Sequence, residues 1–323
     1  MKISLALILA LGLSGVELSG AGPSGPVAGF ILDSRTATIR PMTGVPGALR
    51  LAEAVALPFG VSAAEFTASG DAAVTVTAVA LTMDQPAHLA VIGSLPSSAP
   101  LIVDLGEVAE DTRILAVNAK GTAAVVYSAS QQQLRFVSGV NKNPVLSTPV
   151  STAALAGTVT VGVLDESGSC AVLGTGSVET LCSDGASRRV LSETTFKVTA
   201  LGFGNSGRDL WVVDAAARQV LRVGNYAQQS APVVFASETD GLVRPIALAV
   251  TVDGQVLVAD SDAAAVFAID PLAPSVKAIR LDIAPSQLRP LTDRSLLLIN
   301  DLSALPFTLF STEAMRTYFV PAN

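Results

Sequence analysis

The sequence predicts an all-β protein that folds as a β-propeller of seven four-stranded blades. The first observation is a repeated phrase of apolar strand, glycine turn, second apolar strand and aspartate, found at 200–214 and again at 247–260. Repeats of this kind are typical of solenoids and propellers. The second observation is the spacing of roughly 38 to 51 residues between turns in successive copies, at Gly70, Gly121, Gly168, Gly207, Gly254 and a degenerate copy at 292–294.

The two marks of the phrase, its glycine and its aspartate, predict seven units in order along the chain. Short runs rich in Val, Ile, Leu and Thr match the composition of β-strands. The glycine joins the innermost strand to the second, since it adopts positive φ without steric cost. The aspartate that ends the second strand can accept hydrogen bonds from turn amides. The units start near residues 25, 61, 111, 153, 194, 243 and 286.

The first unit has the weakest pattern. Its second strand is predicted at 30–33 and its third at 37–42, so its inner strand would have to come from 25–28. The segment 49–57 carries the best helical pattern in the chain, but it stands where an outer strand belongs. Closure of the ring therefore depends on this unit, because one blade cannot bury both faces of its sheet without neighbours.

An export signal is predicted at residues 1–21. Lys2 supplies the positive charge, residues 3–13 the apolar stretch, and the small residues at 19–22 a cleavage site. A retained anchor or a buried first helix is the alternative. A Gly/Pro-rich linker is predicted at 22–29 and a single propeller domain at 30–323. We expect the mature protein to be periplasmic or extracellular.

The composition narrows the range of partners. The formal charge is −7 without a basic cluster, which argues against nucleic-acid binding. The mean hydropathy of +0.54 is high, but the one continuous apolar segment, 3–16, is too short to span a bilayer. We expect no stable membrane insertion of the mature chain and no cofactor. We expect a monomer whose partner is an unidentified protein or small ligand.

The two cysteines are predicted to form a disulfide. Cys170 and Cys182 flank a Gly-Thr-Gly-Ser turn between two apolar runs, which is a hairpin signal. If the turn centres on Gly176, the two cysteines face each other across the strands, and an oxidising compartment permits the bridge. Two buried free thiols are the alternative.

Two segments carry a family resemblance. Leu-Trp-Val-Val-Asp-Ala-Ala-Ala-Arg-Gln-Val-Leu-Arg-Val at 210–223 resembles an NHL-type propeller repeat, and 255–270 is similar to NHL and YVTN-type repeats. The resemblance implies the propeller fold but no single activity, because the group includes scaffolds, protein-binding modules and a few lyases and hydrolases. The chain departs from the pattern across 61–193, where Ser or Thr replaces the strand-end aspartate.

The sequence offers few groups for chemistry. The single histidine, His88, favours neither a histidine-based metal site nor a Ser/His/Asp arrangement. Four residues with side-chain oxygens end equivalent strands and are expected at one end of the ring: Asp33, Asp214, Asp260 and Asn300. They could form a rim that binds a ligand or a cation, or act only as turn caps.

Two functions remain open from the sequence. The first is an exported, non-catalytic propeller that acts as a binding scaffold for an unknown ligand. The alternative is a propeller hydrolase or lyase with a calcium-like metal bound by carboxylates at the channel mouth. Charged and aromatic residues converging on the channel would favour the enzyme, and a mouth of Ala, Ser and Val would favour the scaffold.

Overall fold

Seven antiparallel sheets follow one another along the chain, and in each sheet the strands pair in chain order, apart from the last strand of the third sheet. The computed structural model describes residues 25–321 apart from 79–85, 96, 98, 192–195, 205, 229, 274, 293 and 301–305. The sheets form a seven-bladed β-propeller, which confirms the predicted fold class. The predicted signal peptide lies outside the described residues.

The strands of the first three blades are β1 (Val27–Asp33), β2 (Thr38–Thr43) and β3 (Arg50–Leu51); β4 (Val61–Phe66), β5 (Ala72–Thr77), β6 (Ala87–Gly93) and β7 (Leu101–Val108); and β8 (Arg113–Val117), β9 (Ala123–Ser128), β10 (Gln133–Ser138), β11 (Val145–Leu146) and β12 (Val150–Ser151). Both β11 and β12 pair with β10, so they share the outermost position of blade 3.

The strands of blades 4 to 7 are β13 (Val161–Leu164), β14 (Cys170–Gly174), β15 (Val178–Cys182) and β16 (Ser187–Leu191); β17 (Val198–Gly204), β18 (Asp209–Asp214), β19 (Gln219–Val223) and β20 (Pro232–Ala236); β21 (Pro245–Val250), β22 (Val256–Asp260), β23 (Ala265–Asp270) and β24 (Ser275–Arg280); and β25 (Arg289–Pro290), β26 (Leu296–Leu298), β27 (Phe307–Ser311) and β28 (Arg316–Val320). Two short 3-10 helices occur at Tyr226–Gln228 and Glu238–Asp240. Among the described residues, no helix is long and apolar enough to cross a membrane.

The core lies between the blades. Trp211 on β18 is 2% exposed and packs with Leu248 and Phe267 of blade 6. Comparable apolar clusters fill the space between other neighbouring blades. Each sheet therefore buries both faces against its neighbours, as a propeller requires.

The turn glycines have the predicted role. All five adopt positive φ, between 65° and 88°. All but Gly254 also lie where neighbouring blades approach closely: a Cβ atom at Gly168 would overlap Ala123 of blade 3, and one at Gly207 would come within 3.2 Å of Glu166 of blade 4. A larger residue would be strained in its backbone at all five positions, and at these four it would also press against the neighbouring blade.

Blade 1 differs from the prediction of four strands. Residues 25–28 do not form an inner strand, because Val27 and Ala28 belong to β1, which pairs with β2 as the second strand of a regular blade does. Blade 1 is a three-stranded sheet in the described part of the chain, and β1 begins within the predicted linker at 22–29. The segment with the helical pattern supplies β3 as the outer strand.

Beside the three described strands of blade 1, blades 2 and 7 meet directly at the channel. A Cβ atom at Gly70, in the turn after β4, would meet Thr292, in the turn after β25. The guanidinium of Arg289 on β25 donates to the carbonyl oxygen of Ala64 on β4. The ring is therefore closed on the inside by a side-chain contact between blades 2 and 7, with β1 lying behind it.

The predicted hairpin and disulfide are present in blade 4. Cys170 on β14 and Cys182 on β15 lie directly opposite each other, and the paired residues Gly174 and Val178 place the turn on Gly176. The two sulfur atoms are bonded, with the Cα atoms 3.9 Å apart.

Candidate functional site

The four predicted rim residues lie at the end of the ring where the chain enters each inner strand. Their side chains are buried, with exposures of 0% to 6%. The carboxylate of Asp260 accepts three backbone N–H groups: Val243 at 2.7 Å and Arg244 at 2.8 Å before β21, and Ala263 at 2.9 Å after β22. It thereby joins the loop before the inner strand to the turn after the second strand.

Asp214 makes the same type of contact, whereas Asn300 accepts from the third strand of its own blade. Asp214 accepts from Lys197 N and from Ala216 N, both at 3.0 Å. The amide oxygen of Asn300 accepts from Thr308 N at 2.7 Å. These are the contacts of turn caps, which satisfy amides that would otherwise lack a partner. A role for these residues as a ligand rim stays a prediction.

Asp33 differs because the described part of blade 1 contains no inner strand for it to cap. Its carboxylate accepts from the backbone N and the Nε of Arg35, both at 3.2 Å, and lies 3.7 Å from Arg40. Burial raises the pKa of Asp33, but the hydrogen bonds and charges of the two arginines outweigh it and hold the pKa below 3.8. Guanidinium groups thus replace the inner-strand amides.

Blade 3 has a cap that the sequence reasoning missed. Asp111, which precedes β8, accepts from Ser128 Oγ at 2.8 Å and from Ser130 N at 2.6 Å. Burial raises the pKa of Asp111, and these hydrogen bonds lower it further than burial raises it. The carboxylate comes from the loop before the inner strand, while the second strand ends in serine, so the repeat pattern gave no signal for it.

The remaining candidate from the sequence is His88. His88 is on β6, the third strand of blade 2, with its Nδ1 3.0 Å from an Asp104 carboxylate oxygen. Across the described residues, no three side chains of the types His, Cys, Asp and Glu lie close enough to hold a metal ion.

Charged, aromatic and apolar side chains from several blades meet at the opposite end of the ring, in the central channel. A cavity of about 310 Å³ opens there, lined by residues where the inner strands end, including Thr67, Asn118 and Thr251. This volume is at the lower end of the range for small-molecule sites, about 300–1,000 Å³.

One wall of the cavity is charged. Arg289 Nη2 lies 3.1 Å from Glu65 Oε2, and the side chains are 28% and 36% exposed respectively. The guanidinium of Arg289 also lies over the ring of Phe66, 5.4 Å from its centroid. Phe30 stacks on Phe66 with a centroid distance of 6.0 Å, which fixes the ring on which Arg289 rests.

Enclosure within the ring sets the ionisation of Glu65. Desolvation raises the pKa of its carboxyl above 4.5, and the charge and hydrogen bond of Arg289 offset only part of this rise. The side chain is nevertheless reachable by water through the cavity. Glu65 is therefore an enclosed acid beside a fixed cation, and both groups border open space.

The remaining wall is mainly apolar. It contains half-buried side chains from four different blades: Val117, Val163, Phe203 and Val250. Arg294 reaches across from blade 7, where its Nη2 makes a long contact of 3.4 Å with the carbonyl oxygen of Ala119. The cavity thus offers an apolar surface opposite two guanidinium groups and one carboxylate.

Sequence reasoning did not find Glu65, Arg289 or Arg294. They belong to the units in which the phrase is degenerate, so the repeat pattern does not align them. Their proximity depends on the direct contact of blades 2 and 7, more than 200 residues apart in sequence.

No protein-family model matches the chain, and no curated protein matches it. Solved structures match its fold. A protein from Lactobacillus plantarum has a TM-score of 0.65 at 12% identity, covering 91% of this chain and 96% of its own. A functionally unknown protein from Desulfotomaculum acetoxidans has 0.61 at 11% identity, covering 90% and 94%.

A third match is the virginiamycin B lyase of Staphylococcus aureus, in a catalytically inactive histidine-to-alanine form with quinupristin. It has a TM-score of 0.58 at 9% identity, covering 80% of this chain and 83% of that one. At these identities the likeness shows the propeller fold alone.

Proposed function

We propose that the protein is an exported, non-catalytic β-propeller scaffold that binds a small ligand in the channel cavity. The cavity supports this proposal because it combines a mainly apolar wall with a few polar groups, the usual arrangement in small-molecule sites. We further propose that the repeats are of the NHL or YVTN type, on the strength of the strand–glycine–strand–aspartate phrase.

Export is supported by two observations. The N-terminal segment has the charge, apolar stretch and small residues of a signal peptide, and the disulfide is suited to an oxidising compartment. Cell fractionation with N-terminal sequencing tests this. We expect the mature chain outside the cytoplasm with its first residue near 20–22, and an intact N-terminus in the cytoplasm would contradict export.

Binding in the channel is tested by filling it. A Val163→Phe variant places a ring in the cavity, whereas Val233→Phe adds the same ring on the exposed outer strand β20. In a fragment screen by thermal shift and ligand-observed NMR, we expect ligands that bind the wild type and Val233→Phe but not Val163→Phe. Ligands that bind all three proteins equally would place the site elsewhere.

One observation favours an enzyme as the second candidate. Glu65 is an enclosed acid with a raised pKa beside Arg289, and perturbed acids in clefts are often catalytic. Two solved structures with a similar fold carry the name lyase. Against it, the single histidine lies on the third strand of blade 2, outside the channel. Turnover of a channel ligand that is abolished in Glu65→Gln would replace the scaffold proposal.

A further inference from the structure

We infer that the ligand of the channel cavity is a small carboxylate with an apolar body, bound by Arg289 and Arg294. This inference rests on the proposed function, since it names the chemical class that the proposed site takes.

The charge of the lining favours an anion. Among the described residues that line the cavity, the ionisable side chains are Glu65, Arg289 and Arg294, and these three carry one positive charge in excess. The nearby carboxylate of Glu65 repels a second negative charge on a ligand, because like charges at short range disfavour each other. A singly charged carboxylate therefore fits better than a dianion such as phosphate.

Arg289 has donors to spare. Its contacts with Ala64 and Glu65 both use Nη2, and no described residue accepts from its Nε or Nη1. The ring of Phe66 holds the guanidinium plane in place. A guanidinium with a fixed plane and unused donors is suited to a carboxylate, which matches its fork geometry.

Arg294 supplies the second cation. Its single hydrogen bond to a described residue, the 3.4 Å contact with Ala119 O, is long and involves a neutral acceptor. A carboxylate is a stronger partner than a peptide carbonyl, because hydrogen bonds between charged groups are shorter and stronger. We therefore expect a bound carboxylate to displace this contact.

The rest of the ligand faces the apolar wall of Val117, Val163, Phe203 and Val250. An apolar cavity of about 150 Å³ holds a benzene molecule. The cavity of about 310 Å³ therefore has room for one ring or a branched aliphatic group together with the carboxylate. Longer chains or linked sugars would extend beyond it.

The test compares phenylacetate with its neutral amide, phenylacetamide, and with the cation 2-phenylethylamine, by calorimetric titration of the purified protein. We expect phenylacetate to bind at least about tenfold more tightly than the amide, as for a charge-assisted hydrogen bond. We expect Arg294→Gln, a change at the cavity mouth, to reduce this ratio and Arg289→Gln to abolish it. Arg316→Gln, on the outer strand β28, is the matched control and should leave the ratio unchanged.

The outcomes separate this inference from the proposed function. Equal binding of acid and amide, or preference for the amine, overturns the carboxylate inference and leaves a channel scaffold in place. An acid preference that survives in both arginine variants also overturns it. If none of the three probes binds, the inference fails, and the proposed function is then decided by the Val163→Phe screen alone.

Discussion

The role of the strand-end aspartates can be decided by removing one of them. Asp260 is fully buried and accepts three backbone N–H groups, at 2.7, 2.8 and 2.9 Å. In Asp260→Ala these three donors lose their acceptor. If Asp260 is a structural cap, the loss should appear in the stability of the protein without any added ligand.

The magnitude follows from the three hydrogen bonds. A hydrogen bond to a charged group contributes about 1.5–3 kcal/mol, so three independent bonds would give about 4.5–9 kcal/mol. Val243 and Arg244 are exposed, and water can replace part of this contribution. We expect Asp260→Ala to lose about 3–5 kcal/mol. At an unfolding entropy of about 2.1 cal/mol/K per residue, this lowers Tm by about 5–8 °C for a domain of about 300 residues.

The assay is thermal and denaturant unfolding with two controls. Asp262→Ala removes a neighbouring carboxylate that is 51% exposed and should change stability by no more than about 0.5 kcal/mol. Asp260→Asn should cost less than Asp260→Ala, because Asn300 holds the equivalent position in blade 7 through its amide oxygen. Two results together would refute the role of Asp260 as a cap and favour a cation-binding rim. Asp260→Ala would have an unfolding free energy within about 1 kcal/mol of wild type, and calcium would raise the Tm of the wild type.

Three further predictions follow from other parts of the ring. Under non-reducing conditions Cys170 and Cys182 should resist alkylation, and alkylation of both would contradict the disulfide. The variant with both cysteines replaced by Ser should lose about 2–4 kcal/mol of unfolding free energy. Asp111→Ala should destabilise the protein at pH 7. The difference from wild type should shrink as pH falls through the lowered pKa of Asp111, because protonation removes the stabilising contribution of the carboxylate from wild type as well. A difference in stability that does not depend on pH would contradict this role of Asp111. The raised pKa of Glu65 gives a pH dependence of the opposite sign, because the stability that this group contributes is complete below pH 4.5 and is lost as pH rises. In denaturant titrations, Glu65→Gln should therefore gain stability relative to wild type between pH 4 and pH 7. A relative loss would show that the charge of Arg289 outweighs the burial of Glu65.

Local pattern was sufficient for the parts of the fold that repeat. The turn glycines recur because each of these turns needs the same positive φ, and the aspartates at positions 214 and 260 recur because they cap equivalent turns. The paired cysteines were predictable for a similar reason, since a hairpin fixes its own register through its turn.

The channel could not be predicted in the same way. The structure describes no inner strand in blade 1 between residues 25 and 51, and nothing in the sequence of this blade shows that blades 2 and 7 meet directly. That contact brings together Glu65 and Arg289, which are far apart in sequence and belong to degenerate repeats. The predicted rim and the cavity also lie at opposite ends of the ring. The strand-end residues in the repeat indicate where turns lie, but they do not indicate which end of the ring has a cavity.

The most direct test of the channel as the ligand site is the location of bound phenylacetate by NOEs between its ring protons and valine methyl groups. We predict NOEs to Val117 and Val163, which line the cavity from the neighbouring inner strands β8 and β13, and their loss in Arg289→Gln. NOEs confined to outward-facing valines such as Val233, 55% exposed on β20, would contradict the account.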